Sequence, residues 1–265
     1  MRKTVKATFL FLNIFLCIFI LSFVRVVFLL FPAKRTFLVS YIAHIFNKIS
    51  AFILGIKVKV SGKSEFLKTR GIFFVINHLS YLDGVIASSL SPLVFIGRSD
   101  LKNWPLFGTL TSLSDTIFVN RIDPSNIHRE LERIAFFLSN RTNVILFPEG
   151  TSTNGKEFLP FKTSFFEAPL KVGCKIVPLA IRYTRINTEE LNDKNKDLIY
   201  WYGDMEFLPH LFGVLKLKRV DVEVRVFKSL SISEIPNEKV SFLRKYLSSA
   251  CQEIIEDYLN PEEAK

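Results

Sequence analysis

The stretch Ile76-Asn77-His78-Leu79-Ser80-Tyr81-Leu82-Asp83 decides how the chain is read. An apolar run, Ile72 to Ile76, leads into it and has the length and composition of a buried strand. His78 stands at the exit of that strand, and Asp83 follows five residues later. Imidazole takes a proton near neutral pH, and a carboxylate orients it and stabilises its charged form. Along a regular helix five residues turn through about 500°, so the two would not share a face. They meet only where His78 sits on a strand-to-helix turn and Asp83 folds back beneath it. Taken alone, the stretch has a plainer reading, in which His78 is a polar loop residue and Ser80 caps a helix with Asp83 in its first turn.

The flanking sequence predicts an alternation of strands and helices. Ile56, Val58 and Val60 alternate with Lys57, Lys59 and Ser61, a half-exposed strand ending at Gly62. After the His78 turn, Asp83 to Leu90 reads as a helix that stops before Pro92. Leu93 to Ile96, Thr116 to Val119 and Val144 to Phe147 are short apolar strands. Asp123-Pro124 is a helix start, and Ile127, Leu131, Ile134, Ala135 and Leu138 give that helix one apolar face. Ser164 to Val172 is expected to be helical. Ile176 to Ile181 is a strand whose Pro178 points to an edge or irregular position. Leu198 to Tyr202 and Val220 to Phe227 are further predicted strands. A last helix, about Glu238 to Leu259, carries a stripe of Leu243, Tyr246, Leu247, Ala250, Ile254 and Tyr258. This pattern implies an α/β fold, a mixed sheet flanked by helices. In such sheets, polar residues at the carboxyl ends of strands are the natural site candidates, and His78, Arg121 and Glu149 each follow a predicted strand.

The first residues behave differently. Ala7 to Phe31 is nearly continuous apolar sequence, interrupted by Asn13 and Arg25. As a helix it would be about 37 Å long, against a bilayer core of about 30 Å. It has no small-residue cleavage site and reads as an anchor. Basic residues flank both ends, so the positive-inside rule does not orient it. Arg25 would cost about 2.5–3.5 kcal/mol near mid-depth, less if it snorkels. Pro32 ends this helix, and Phe37 to Gly55 reads as a second, amphipathic one. Its apolar side is Leu38, Tyr41, Ile42, Ile45, Ile49, Phe52 and Ile53; Ser40, His44, Asn47 and Lys48 lie opposite, with His44 expected on a solvated face. The expected organisation is an N-terminal membrane-associated helix pair, residues 1–55, followed by a catalytic domain, residues 56–265. The pair is read either as held in one leaflet or as one span plus one surface helix.

Of 265 residues, 35 are Lys or Arg and 25 are Asp or Glu, a net charge of +10. That excess favours anionic partners, a membrane surface or nucleic acid. No compact basic-aromatic motif or zinc spacing supports nucleic acid. Cys17, Cys174 and Cys251 are far apart and read as reduced thiols without metal-ligand spacing. His210 has no spaced partner in sequence, and Trp201 reads as buried core.

Four blocks occur in order: Asn77-His78-x4-Asp83; Gly97-Arg98-Ser99-Asp100-Leu101 with Pro105, Gly108 and Ile117-Phe118-Val119-Asn120-Arg121; Phe147-Pro148-Glu149-Gly150-Thr151; and Ile176-Val177-Pro178-Leu179-Ala180-Ile181. Together they resemble the glycerolipid acyltransferase family, whose type member is 1-acylglycerol-3-phosphate acyltransferase. The resemblance covers about residues 56–183, and the N-terminal helix pair also fits it. It implies transfer of a fatty acyl group from acyl-CoA or acyl carrier protein, as donor substrate, to the hydroxyl of a lysophospholipid, lysophosphatidic acid first. Neither a cofactor nor a metal is implied. His78 would be the general base and Asp83 its orienting carboxylate. Arg121 would bind the acceptor phosphate, with Glu149, Gly150 and Thr151 as the second acceptor-binding motif. The catalytic domain would face the cytoplasm. Arg98 and Asp100 stand where the family often has Lys and Glu, and Ser114-Asp115-Thr116 where it commonly has a glycine. Lys162 matches a basic position often found after the glutamate motif. Another lysolipid, such as lyso-ornithine lipid, is the alternative acceptor. A non-catalytic membrane-binding protein of the same fold is the competing class.

Overall fold

The computed structural model describes residues 2–104, 106–120, 127–230 and 239–260. Two long helices come first, α1 (Arg2–Val27) and α2 (Pro32–Leu54). Strands and helices then alternate: β1 (Ile56–Gly62), β2 (Phe73–Ile76), α3 (Leu82–Leu90), β3 (Leu93–Arg98), α4 (Phe107–Leu113), β4 (Ile117–Val119), α5 (Ile127–Ser139) and β5 (Asn143–Leu146). They continue through α6 (Glu167–Val172), β6 (Ile176–Ile186), β7 (Glu189–Glu190), α7 (Phe207–Val214), β8 (Val220–Val226) and α8 (Val240–Leu259). Among the described residues these strands form one eight-stranded sheet in the order β1-β8-β6-β2-β5-β3-β4, with β7 paired to β6. The run from β6 through β2, β5 and β3 to β4 is parallel, and β8 is antiparallel to β6. The expected mixed sheet flanked by helices is therefore present.

Alternation along β2 divides the core. Phe74 and Ile76 face α3 and the helix pair, in a cluster with Leu82, Ile86, Leu10 and Leu54. Phe73 and Val75 face the other way, against Ile134 and Phe137 of α5 and Leu247, Cys251 and Ile255 of α8. A strand covered on both faces must be apolar throughout, which is why Ile72 to Ile76 carries no polar alternation. Gly108 of α4 is required by a close approach, since a Cβ there would lie 2.1 Å from the Lys102 carbonyl oxygen.

Several expectations are corrected. Leu198 to Tyr202 is not a strand. The Ile199 and Tyr200 amides turn back to the Lys196 carbonyl, and the Trp201 amide donates to Leu79. Ile199 is fully buried in the core cluster that also holds Leu79 and Leu82, so its apolar character reports packing rather than sheet pairing. Strand β6 is interior, between β2 and β8. Pro178 is tolerated there because it lies just past the last ladder pair, Leu179 with Val226, where its carbonyl accepts the Phe227 amide at 3.1 Å and no donor is needed from its nitrogen. On α8 the buried line runs Leu243, Leu247, Cys251 and Ile255, while Tyr246 is exposed. The predicted helix start at Asp123-Pro124 and the residue Glu238 lie outside the described residues.

The helix pair overturns the expectation for His44. Its side of α2, with Thr36, Ser40 and Ser50, is the buried side, packed on α3. Tyr41, Ile45, Ile49 and Phe52 point outward and are exposed. On α1, Leu10, Asn13, Ile14, Cys17 and Leu21 are buried, and Phe9, Phe15, Phe19 and Phe23 are exposed. Asn13 donates to the Phe46 carbonyl and to Ser50 Oγ at 3.1 and 3.0 Å. Arg25 is not left unpaired in apolar surroundings, because it forms an ion pair with the buried carboxylate of Asp115. Arg35 approaches the same carboxylate at 3.6 Å, and Thr36 Oγ1 donates to it at 3.0 Å. Asp115 immediately precedes the β4 region with φ +58°, a left-handed conformation that a glycine would adopt without strain. Both helices are long and apolar enough to cross a membrane. The outward faces of the pair carry many large apolar side chains, with Lys48 exposed among them on α2, and suit a membrane surface.

Candidate active site

The parallel strands bring His78 and Glu149 to one end of the sheet. His78 lies just past the end of β2, and Glu149 just past the end of β5, its immediate neighbour. Arg121 follows β4 in sequence and lies outside the described residues. The turn after β2 is pinned by Asn77, which is buried and bridges both the amide and the carbonyl of Ile181 on β6, at 2.8 and 3.1 Å.

Asp83 folds back under the turn as the spacing required. Its Oδ2 accepts the His78 Nδ1–H at 2.9 Å, the Leu79 amide at 2.7 Å and the Ser80 amide at 2.9 Å. Its Oδ1 accepts the Tyr183 hydroxyl at 2.6 Å. The carboxylate is fully buried, and the His78 side chain is 21% exposed. A carboxylate on Nδ1 fixes the tautomer that leaves Nε2 as the basic nitrogen. Of the capping alternative the structure keeps one part: Asp83 is in the first turn of α3, but Tyr81 and not Ser80 occupies the cap position. Ser80 Oγ accepts the Leu82 amide at 3.4 Å, while Asp83 accepts those of Leu79 and Ser80. Phe147 lies against the imidazole, ring centres 4.3 Å apart, and restricts its rotation.

Glu149 is buried, and its Oε1 accepts the His78 backbone amide at 2.8 Å. The His78 carbonyl accepts the Thr153 amide at 3.0 Å, so the catalytic candidate is held at both backbone groups by the β5 loop. Among the described residues, Glu149 Oε2 has no hydrogen-bond partner. Burial pushes the Glu149 carboxyl up to about 7, against the lowering effect of the His78 and Leu159 backbone amides. Gly150 turns the chain with φ +81°, its amide donating to the Phe147 carbonyl. Thr151 is half-buried beside it. A cavity of about 100 Å³ is lined by Asn77, Glu149, Thr153, Ile181 and Tyr200. Arg98 and Asp100 pair with each other through two bonds of 2.9 and 2.7 Å on the surface.

Two partners were not legible from spacing. Tyr183 stands on β6, far from the turn in sequence; the only signal was a tyrosine following the apolar run Ile176 to Ile181, whose hydroxyl must find a partner when buried. His210 does have a partner, since its Nδ1 lies 3.0 Å from the Tyr81 hydroxyl. Trp201 is half-buried rather than core, set edge-on to Tyr81 and Trp104.

A buried carboxylate on Nδ1 of an accessible imidazole at a strand end is an arrangement that can act as a general base on an α/β sheet. Residues 57–182 match the acyltransferase family. A lyso-ornithine lipid O-acyltransferase of Rhizobium meliloti is 31% identical over 201 residues, 73% of this chain and 68% of that protein. A second, from Brucella abortus, is 34% identical over 69% of this chain and 70% of that protein. A 1-acyl-sn-glycerol-3-phosphate acyltransferase of Neisseria gonorrhoeae is 30% identical over 58% of each chain. The crystal structure of the 1-acyl-sn-glycerophosphate acyltransferase PlsC from Thermotoga maritima shares the fold, with TM-score 0.60 and 20% identity over 100% of this chain and 99% of that one. The chain belongs to the acyltransferase family.

Proposed function

We propose that the protein transfers a fatty acyl group from a thioester to the free hydroxyl of a lysolipid at a membrane surface. The observation that carries this reading is the His78–Asp83 pair, with Nδ1 committed to a fully bonded carboxylate. Nε2 takes the proton of the acceptor hydroxyl as its oxygen attacks the thioester carbonyl. The tetrahedral intermediate then collapses, the carbon–sulfur bond breaks, and the leaving thiolate takes the proton from His78, which restores the neutral base. Asp83 stabilises the imidazolium between these steps. Arg121 and the Glu149-Gly150-Thr151 turn are the proposed acceptor-binding elements. Glu149 also holds the backbone of His78, so its role includes positioning. The donor is acyl-CoA or acyl carrier protein.

Lysophosphatidic acid is the leading acceptor, since relatives from Neisseria and Salmonella bear the corresponding name and Arg121 suits a phosphate. Lyso-ornithine lipid is the second reading, favoured by the names of the Rhizobium and Brucella relatives, each aligned over more than two thirds of its length. The helix pair, with its outward apolar face and its polar face on the domain, suits insertion into one leaflet, leaving the catalytic domain at the cytoplasmic surface.

A thiol-release assay decides between the acceptors. Purified protein is offered acyl-CoA, then acyl carrier protein, with a panel of lysolipids. His78→Ala is expected to lose about 10²–10⁴-fold in turnover while still folding and binding vesicles. Near wild-type turnover in that variant would sink the base assignment, and no thiol release with any lysolipid would favour the non-catalytic reading.

A further inference from the structure

We propose that Tyr183 is a positioning residue for acyl transfer, acting on His78 through the carboxylate of Asp83. The inference rests on the reading of His78 as the general base. Tyr183 is 2% exposed and sits in an interior strand. Its hydroxyl donates to Asp83 Oδ1 at 2.6 Å across a sequence separation of 100 residues. The other carboxylate oxygen is shared by His78, Leu79 and Ser80. Without Tyr183 all three remaining donors would pull on one oxygen and nothing would fix rotation of the carboxylate plane. With it, both oxygens are held, and the plane that orients the imidazole is set by the sheet.

The placement of the hydroxyl is itself controlled. Asn77 locks the height of β6 against β2 through both backbone groups of Ile181, two residues before Tyr183. The Tyr200 ring packs on the Tyr183 ring with centres 5.8 Å apart. The titratable groups around Asp83 are His78 on the turn, Tyr183 on β6, Tyr200 from the segment before α7, Tyr81 ahead of α3 and Glu149 after β5. Among the described residues, Tyr183 alone bonds to Oδ1. Burial, followed by the nearby Asp83 charge, keeps the Tyr183 phenol far above its ordinary range, so it remains a neutral donor throughout the working pH range.

A hydrogen bond to a carboxylate draws off part of its charge and lessens its pull on the imidazolium. Tyr183→Phe therefore has two expected effects. Turnover falls about tenfold, the scale set by one lost bond to a charged group, while the acceptor KM changes little because Tyr183 touches no substrate. The acid limb of the pH–kcat/KM profile moves up by a few tenths of a unit or more, because an undamped carboxylate holds the proton on His78 more strongly. In an Asp83→Asn background, Tyr183→Phe adds no further loss. Replacement of Tyr183 by 3-fluorotyrosine, a stronger donor of nearly the same size, moves the acid limb the other way.

Wild-type kcat and an unmoved acid limb in folded Tyr183→Phe would overturn the inference. So would a loss that tracks only the folded fraction in a thermal melt. If Tyr183→Phe does not fold, the fluorotyrosine protein decides, and an unmoved limb there overturns the inference equally. His78→Ala measured alongside separates the two levels. Retained turnover there defeats the base assignment, whereas an inactive His78→Ala beside an indifferent Tyr183→Phe defeats the role of Tyr183 alone.

Discussion

The Nδ1 atom of His44 lies 2.6 Å from the main-chain oxygen of Ser88, a buried polar contact joining α2 to α3. Asn47 adds a bond to Ser88 Oγ at 3.1 Å. Ser40, His44 and Ser50 are thus on the inner face of α2, while Lys48 is exposed. The apolar side chains left outside are favourably placed against lipid.

The outward stripe predicts the effect of charging it. Ile45, Ile49 and Phe52 replaced together by glutamate should weaken flotation with anionic liposomes, with α1 retaining part of the binding, while leaving the circular-dichroism signature intact. Each inserted side chain contributes up to about 1.5–3 kcal/mol. Undiminished flotation would show that the membrane contact lies elsewhere.

The Ser88 carbonyl is in the last turn of α3, where helix carbonyls lack intrahelical partners. His44 supplies the missing one. His44→Ala should lower stability by about 1–3 kcal/mol, visible as a drop in Tm in detergent, with the leading effect on the α2–α3 junction. An unchanged melting curve would mean that water replaces the imidazole at no cost.

Asp115 holds two guanidinium groups and pays for a left-handed backbone. The backbone conformation costs about 1–2 kcal/mol in a non-glycine residue, while breaking a buried ion pair costs about 3–5 kcal/mol. Asp115→Gly therefore relieves the smaller term and loses the larger one, with net destabilisation expected by urea unfolding. A more stable glycine variant would show that the ion pairs contribute little.

Glu149→Gln keeps an oxygen for the His78 amide and removes a buried charge. The carboxyl is raised from 4.5 to about 7 in the folded protein. A raised value means that its stabilising contribution is complete below pH 4.5 and lost as pH rises through about 7. Across that window the wild type should lose roughly 3 kcal/mol relative to the Gln variant. Urea midpoints for both proteins at pH 4.5 and pH 8 read this out, and parallel pH profiles would refute it. If Glu149 also binds the acceptor through its charge, the Gln variant will show a raised acceptor KM at an otherwise preserved kcat.

Much of the site was legible because it is local. His78 and Asp83 are five residues apart, and only a strand-turn-helix lets them meet, so their geometry was implied by the strand-like run before them. Glu149 was legible as a strand-end residue, but its partner, the His78 amide, lies in the turn after a different strand. The run Leu198 to Tyr202 misled because burial beneath a turn and burial within a sheet select the same apolar residues. Pro178 marked an irregular position and not an edge, because a proline reports a missing donor without saying whether a neighbouring strand lies alongside.

Periodicity and local spacing determined the alternation of strands and helices, the two long apolar helices and the His78–Asp83 pair, because each depends on residues within one or two turns of one another. Tertiary structure alone decided which face of α2 is inside, that Arg25 and Arg35 converge on Asp115, and that Tyr183 reaches Asp83 across the sheet. A helical stripe has the same period whether it faces a core or a lipid leaflet. A buried charge or hydroxyl needs a partner, and only the packing of distant segments determines which one it finds.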